Sequence, residues 1–417
     1  MKGVFVILDG VADEPCNALN GKTPLEAAKT PNLDKLAKKG KLDYCYTVSK
    51  GVAPESSSAV ISLLGYDPTS APRGVLEVIG SGMSFSKGDL ALRCNFATID
   101  TLEDGNILDA RAGRTLTTRE AEILAKSVND KLKLPFNFEF RATSQHRAAL
   151  VFRGGFSDNI SDANPFYGNG TAKSNLNPKM AYSKSLDYED DSKLSADLVN
   201  SFIRHSHEIL KNHPINKERE RKGLFPANII LCRGAGSEAV KLKKLKGKWI
   251  ALGYMPLEIG IAKVAGMDVY NFRYPKMKGL DVYSTLYKGL AKATKYGWKM
   301  IKKYRKDYDY FYVHLKETDI PGHDNKPLDK VAMIEMIDSN FFSYLVRGID
   351  KEKVIVVADH TTACRKKAHT DAPVPVLTYP YPGKGNPEKK GERYTEKEGL
   401  EGRKIIGKKL LEENFFK

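Results

Sequence analysis

Short apolar runs alternate along this chain with stretches in which apolar residues recur every three to four positions. That is the pattern of a largely parallel sheet covered by helices. Residues 4–8 are wholly apolar and read as a buried first strand. Thr23-Pro24-Leu25-Glu26 opens a helix: Thr caps it, Pro suits the first helical position and Glu follows in the first turn. A second helix covers 32–38 and stops before Gly40. Later, strands at 249–252, from 267, at 310–315 and at 354–358 alternate with helices over 257–265, 285–306 and 328–345. Residues 374–377 read as an edge strand, because Pro375 cannot donate to a central ladder. Residues 401–413 close the chain as a helix.

The middle has a different texture. Between Ser84 and Leu245 the runs 91–98, 136–142 and 148–152 look like strands of a second sheet, with a helix over 194–211. Residues 158–191 are rich in Ser, Asn, Asp, Gly and Pro and read as loop. The expectation is an α/β core with a central, mostly parallel sheet flanked by helices. It is built from 1–83 and 246–417, with a smaller α+β domain inserted at 84–245.

Length and composition narrow the class. At 417 residues the chain has room for two ordinary domains, and 41% hydrophobic with 28% charged residues is a globular composition. No apolar run approaches the roughly 20 residues that span a bilayer, and the opening apolar run is too short for a signal-peptide core. Cys16, Cys45, Cys94, Cys232 and Cys364 are scattered, and none forms a CxxC pair, which suits free thiols in a reducing cytoplasm. The formal net charge of +16 is spread diffusely over lysines, and no nucleic-acid-binding signature accompanies it. Solvated lysine faces, or a field drawing in a small anionic substrate, account for it without specific nucleic-acid binding.

Candidate chemistry gathers near strand ends. Asp9-Gly10 follows the first strand, Asp359-His360 follows 354–358, and Asp319 and His323 flank Ile320-Pro321-Gly322 after 310–315. His369 lies nine residues past His360, close to Asp371. Of eight histidines, three fall in these fragments, each with an Asp alongside; His146, His205, His207, His213 and His314 do not share that setting. Mixed carboxylate and imidazole donors suit divalent transition ions, and paired ions are a common device for phosphoryl transfer. Because the donors come from both ends of the chain, the ends must meet. Ser56-Ser57-Ser58 precedes an apolar run. On this fragment alone plain helix capping is the favoured explanation, and a nucleophile at a helix start is the other.

Taken together these residues resemble the alkaline phosphatase superfamily, and more closely the archaeal-type cofactor-independent phosphoglycerate mutases. The matching segments run in order along nearly the whole chain. They include Gly21-Lys22-Thr23-Pro24-Leu25-Glu26, Leu64-Gly65-Tyr66-Asp67-Pro68, Arg111-Ala112-Gly113-Arg114, Arg233-Gly234-Ala235-Gly236 and Ala368-His369-Thr370-Asp371-Ala372-Pro373. The resemblance implies an alkaline-phosphatase-like core and Ser56 as nucleophile. It implies one divalent ion held by Asp319, His323 and His369, and another by Asp9, Ser56, Asp359 and His360. Mn²⁺ leads, and Co²⁺, Zn²⁺ and Mg²⁺ also suit the donors. The implied reaction interconverts 3-phosphoglycerate and 2-phosphoglycerate through a phosphoserine, without 2,3-bisphosphoglycerate. Arg111, Arg114, Arg147 and Arg233 would grip the anionic groups, with His146 and Asp162 on the glycerate hydroxyls.

The chain departs from the family around the nucleophile. Related enzymes read Gly-Ser-Asp-Thr-Ala-His where this chain has Glu55-Ser56-Ser57-Ser58-Ala59-Val60. Glu55 adds negative charge where phosphate should arrive, and Ser57 is a rival nucleophile. A phosphohydrolase or phosphotransferase of the same superfamily is the alternative within this chemistry. Oligomeric state is open at this level.

Overall fold

The computed structural model describes residues 1–168, 171–172, 178–277, 280–380 and 391–416. Its larger sheet has eight strands in the order Asp268–Asn271, Trp249–Gly253, Tyr310–Leu315, Gly3–Leu8, Lys353–Val357, Val374–Tyr379, Lys41–Tyr46 and Lys404–Ile406. Only Val374–Tyr379 runs against the rest. The sheet is therefore mostly parallel, and its central strands are apolar on both faces because helices cover both. Every residue of Gly3–Leu8 is buried. Leu8 pairs with Leu315, and Ile7 with Val357. That register brings Asp9, Lys316 and Asp359 off the sheet at one carboxyl edge, where open α/β sheets place their ligands.

Two expectations fail here. Val374–Tyr379 is interior, not an edge. Pro375 faces Tyr44, whose N–H donates away from the pair to the Arg403 carbonyl. The ladder on the other side begins only at Val376. The missing N–H thus falls where neither neighbour needs it. The closing segment is not one helix either. Lys404–Ile406 adds an edge strand alongside Lys41–Tyr46, followed by a 3-10 turn at Gly407–Lys409 and a short α-helix at Leu410–Asn414. A Cβ at Gly402 would lie 2.1 Å from the Leu42 carbonyl oxygen, and one at Gly407 would lie 2.0 Å from that of Thr47. These two glycines let the strand lie close, which an unbroken helix would prevent. The helix expected over 328–345 is present but widens to a π-turn at Asp338–Phe342. There Asp338 accepts from the Asn32 and Leu33 backbone N–H groups at the start of Pro31–Lys39.

The second sheet is antiparallel. Leu90–Ile99 pairs with Arg147–Phe152 on one side and Ile229–Gly236 on the other, Phe138–Ser144 lies beyond Arg147–Phe152, and Ile107–Asp109 joins at Ile99. Helices Thr118–Lys131 and Asp190–Lys211 cover it, and Phe138, Phe140 and Phe152 meet Phe202 edge to face or tilted around a core of its own. Of the 158–191 stretch expected as loop, 169–170 and 173–177 lie outside the described residues.

Helix Arg73–Gly80 lies between the two sheets and is held by close backbone approach. A Cβ on Gly74 would sit 2.3 Å from the Ala91 carbonyl oxygen, one on Gly80 would sit 1.7 Å from that of Pro256, and one on Gly260 would sit 2.0 Å from that of Leu76. No side chain fits there without moving a helix. Gly260→Ala is therefore expected to destabilise the protein by about 1–3 kcal/mol, the usual cost of overpacking. Gly155→Ala, with nothing within 4 Å, should be near neutral. Urea denaturation of the two variants decides it.

Candidate active site

Asp9 and Asp359 end adjacent strands and are buried, as is His314 on the strand between Asp9's strand and Trp249–Gly253. His314 Nε2 lies 3.2 Å from Asp9 Oδ2 and 3.8 Å from Asp359 Oδ2. His360 Nε2 lies 3.5 Å from Asp9 Oδ1, 3.3 Å from Asp359 Oδ2 and 3.1 Å from Ser56 Oγ. Asp9, Ser56, Asp359 and His360 thus come together. Gly10 (φ +55°) lets the chain turn tightly: a Cβ there would lie 2.4 Å from Thr362 Oγ1 and 2.8 Å from Asp319 Oδ1. Its N–H donates to Asp359 Oδ1 at 2.9 Å.

Asp319 opens a short helix after the Tyr310–Leu315 strand. Its carboxylate oxygens lie 3.5 Å from His323 Nε2 and 3.6 Å from His369 Nε2. Asp319, His323 and His369 therefore also meet. The His360 and His369 rings stack with centroids 3.6 Å apart, so the two clusters share a wall. In three rings Nδ1 is spoken for: by the Lys367 carbonyl for His323 (3.0 Å), the Pro54 carbonyl for His369 (2.7 Å) and Thr362 Oγ1 for His360 (3.0 Å). Anchoring Nδ1 leaves Nε2 to face the carboxylates.

Ser56 is the first residue of helix Ser56–Leu63, with Glu55 as its N-cap residue. It opens onto a cavity of about 120 Å³ between the carboxyl edge of the larger sheet and the second sheet. Arg111, Arg114, His146, Arg147 and Arg233 line it. Asp162 does not; it stands behind, accepting the Gly234 N–H at 2.7 Å. Arg114 pairs with Asp324 at 3.3 Å. Arg111 and Arg147 form no ion pair or hydrogen bond through their guanidinium groups among the described residues.

The comparisons with known proteins bear on this arrangement. The family model for 2,3-bisphosphoglycerate-independent phosphoglycerate mutase matches residues 37–216. A mutase of that name from Pyrococcus abyssi is 37% identical over 409 residues, covering 96% of this chain and 93% of its own. The chain belongs to the 2,3-bisphosphoglycerate-independent phosphoglycerate mutase family. Its members are isomerases. The Methanopyrus kandleri mutase is 34% identical, again over 96% of this chain and 93% of its own. Among solved structures, a Pyrococcus horikoshii protein superimposes with a TM-score of 0.73 at 28% identity, over 100% of this chain and 96% of that one. The cofactor-independent phosphoglycerate mutase of Thermoplasma acidophilum gives 0.55 at 27% identity, over 99% and 98%.

Within this mutase-family fold the donor atoms fit divalent cations. Asp9, His314 and Asp359 form one compact group and Asp319, His360 and His369 another, each with ligand atoms within 4.8 Å of one another. Asp9 Oδ1, Asp359 Oδ2 and His314 Nε2 are buried without a hydrogen-bond partner among the described residues. Buried polar atoms normally have partners, so a cation answers a real deficit here. The sequence left His314 outside the candidate set because it does not share the Asp-flanked setting of the other three. Its one local sign is that it lies one residue before the end of an apolar strand; the register with Gly3–Leu8 is what brings it beside Asp9. Lys316 was missed too. Its ammonium contacts Asp9 and lies 3.0 Å from Glu258. Arg73, Arg93 and Glu317 also line the cavity. Arg73 holds Glu77 at 2.8 Å with Arg93 alongside at 3.4 Å, and burial raises the Glu317 carboxyl to about 7.

Charge and burial oppose each other throughout. Burial would raise Asp359, but His360, His314 and Lys316 outweigh it and hold the carboxyl far down. Burial would lower His360, but Asp359 outweighs it and raises the imidazole. Burial lowers His323 to about 3 against the pull of Asp319, so it stays a neutral donor. Burial and the surrounding arginines likewise keep His146 neutral. Because His360 must give up any proton before its lone pair can serve a cation, Mn²⁺ binding should release protons and weaken as pH falls. Titration calorimetry in buffers of different ionisation enthalpy checks this; identical heats in every buffer would contradict it.

Proposed function

We propose that this chain interconverts 3-phosphoglycerate and 2-phosphoglycerate without 2,3-bisphosphoglycerate, with Ser56 as the group that carries the phosphate. The observation behind this is a division across one cavity. Ser56 and two clusters of cation donors lie on one side. Arg111 and Arg147, with guanidiniums uncommitted among the described residues, lie on the other. Relatives named for this activity match almost the full chain.

Ser56 Oγ attacks the phosphorus of 3-phosphoglycerate, the bond to the 3-oxygen breaks, and the retained glycerate takes up the proton. The glycerate turns, its 2-oxygen attacks the phosphoserine, and Ser56 is restored. Asp319, His323 and His369 would hold one divalent ion, and Asp9, Ser56, Asp359 and His360 the other, with His314 close enough to Asp9 to share that role. Bound there, the ions supply positive charge that lowers the proton affinity of Ser56 and neutralises the phosphoryl oxygens. The amides at the start of Ser56–Leu63 favour the same anion. Mn²⁺ suits the mixed donors.

Residues 84–245 act as the gripping part and keep water out, while 1–83 and 246–417 carry the donors and nucleophile. Arg111, Arg114, Arg147 and Arg233 match the substrate's phosphate and carboxylate in bidentate geometry, and His146 serves a glycerate hydroxyl. Asp162, whose carboxylate accepts the Gly234 N–H beside Arg233, is assigned with His146 to the glycerate hydroxyls. No helix among the described residues is long and apolar enough to cross a membrane, in keeping with work in the cytoplasm on a small molecule.

A coupled assay without added bisphosphoglycerate tests the reading directly. Chelation should abolish turnover and Mn²⁺ restore it; full activity after metal stripping would sink the cation role. Ser56→Ala should abolish phosphoenzyme and turnover while Ser57→Ala keeps most of both, and the reverse result would move the nucleophile by one residue. Arg114→Ala, Arg147→Ala and His146→Ala should each cost roughly 30- to 1000-fold in turnover, about 2–4 kcal/mol, and shift the remainder toward inorganic phosphate. Wild-type partition in all three would place the grip elsewhere and favour a phosphohydrolase.

A further inference from the structure

Glu55 looked from the sequence like a misplaced negative charge beside the nucleophile. Its carboxylate is not free. It is 4% exposed, it pairs with the Arg233 guanidinium, and it lies 3.8 Å from Arg73 Nη1.

Its two partners belong to different parts of the fold. Arg233 sits on Ile229–Gly236 of the second sheet, with its guanidinium 3.6 Å over the Tyr167 ring. Its Nε is buried without a hydrogen-bond partner among the described residues. Arg73 begins the wedged helix Arg73–Gly80 and joins, through Glu77, to Arg93 on the central strand of that sheet. The turn that carries Ser56 therefore meets the arginine wall through one carboxylate. The guanidinium of Arg233 is fixed at Nη1 and on its face, and the residue still lines the cavity.

We propose that Glu55 is a positioning residue for the transfer step: its ion pair with Arg233 ties the Ser56 turn to the second sheet, so that the nucleophile is seated only when the arginine wall is docked against it. This rests on the mutase reading above. With the tie made, the phosphoserine faces a closed cavity that retains the glycerate, and Arg233 adds its positive charge to the wall facing the substrate anion. With the tie broken, the wall loosens from the nucleophile and water reaches the phosphoserine.

Glu55→Gln keeps the shape and removes the charge. It is expected to lower kcat about 10- to 100-fold, to change KM for phosphoglycerate less than about threefold, and to leave Mn²⁺ binding unchanged. The share of turnovers ending as inorganic phosphate should rise. Combined with Arg233→Met, it should add almost nothing to the effect of Arg233→Met alone, the signature of one shared interaction. Additive losses, or a lower Tm with wild-type kcat and product split, would overturn the proposal. Hydrogen exchange separates this from the broader reading. In Glu55→Gln the amides of 56–63 and 229–236 should exchange faster together. If the wild-type protein makes no 2-phosphoglycerate, the mutase reading fails, and the tie still stands or falls on that exchange: unchanged rates at 229–236 would refute it.

Discussion

Two buried carboxylates, Asp9 and Asp359, with the partly buried Asp319 beside them at one sheet edge, are the constraint around which the rest of this molecule is arranged. Taking an isolated carboxylate out of water costs several kcal/mol even after relaxation. Asp9 and Asp359 share the imidazoles of His314 and His360 between them, and Asp319 lies across the His360–His369 stack. The chain answers with Lys316, three further histidines and the Gly10 amide. Those groups must arrive from strands 300 residues apart in sequence. Placing Gly3–Leu8 between Tyr310–Leu315 and Lys353–Val357 accomplishes that. The tight turn at Gly10 and the helix starting at Ser56 then fall where an anion can be received.

The charge on the opposite wall is of another kind. Most of the positive charge in the sequence is lysine, yet the cavity wall carries six arginines and one lysine. Three of the six are held by Glu55 and Glu77, and a fourth by Asp324. Planar guanidiniums can be fixed on one edge and remain donors on another, which a compact ammonium cannot. The wall is therefore stiff before anything binds, and a stiff wall loses less entropy on binding.

Much of this was legible in the sequence, and the misses have physical causes. Apolar runs ending in Asp or Asp-His gave away Asp9, Asp359 and His360, because a parallel sheet delivers its carboxyl ends to one edge. Thr23 and Glu26 form the capping box their spacing promised. His314 escaped because its partners come from two other strands, and only the register shows that it emerges beside Asp9. Arg73, Arg93 and Lys316 escaped for the same reason: a basic residue has no local mark that distinguishes a solvated face from a cavity wall. Val374–Tyr379 was misjudged because proline's cost depends on which way the missing N–H would point. The closing segment was misjudged because a three-residue strand has too little periodicity to compete with a helical pattern.

The three Nδ1 anchors carry a lesson about drift. Two of the accepting atoms, on Lys367 and Pro54, are main-chain carbonyls, so the side chains at those positions can change without disturbing which nitrogen faces the carboxylates. Thr362 is different, since its hydroxyl both faces His360 and donates to Asp319 at 2.8 Å. Neutral substitutions should therefore accumulate freely around His323 and His369. Around His360 they meet a position where only a hydroxyl serves, and tolerance to mutation in this site is set by whether an anchor is written in backbone or in side chain.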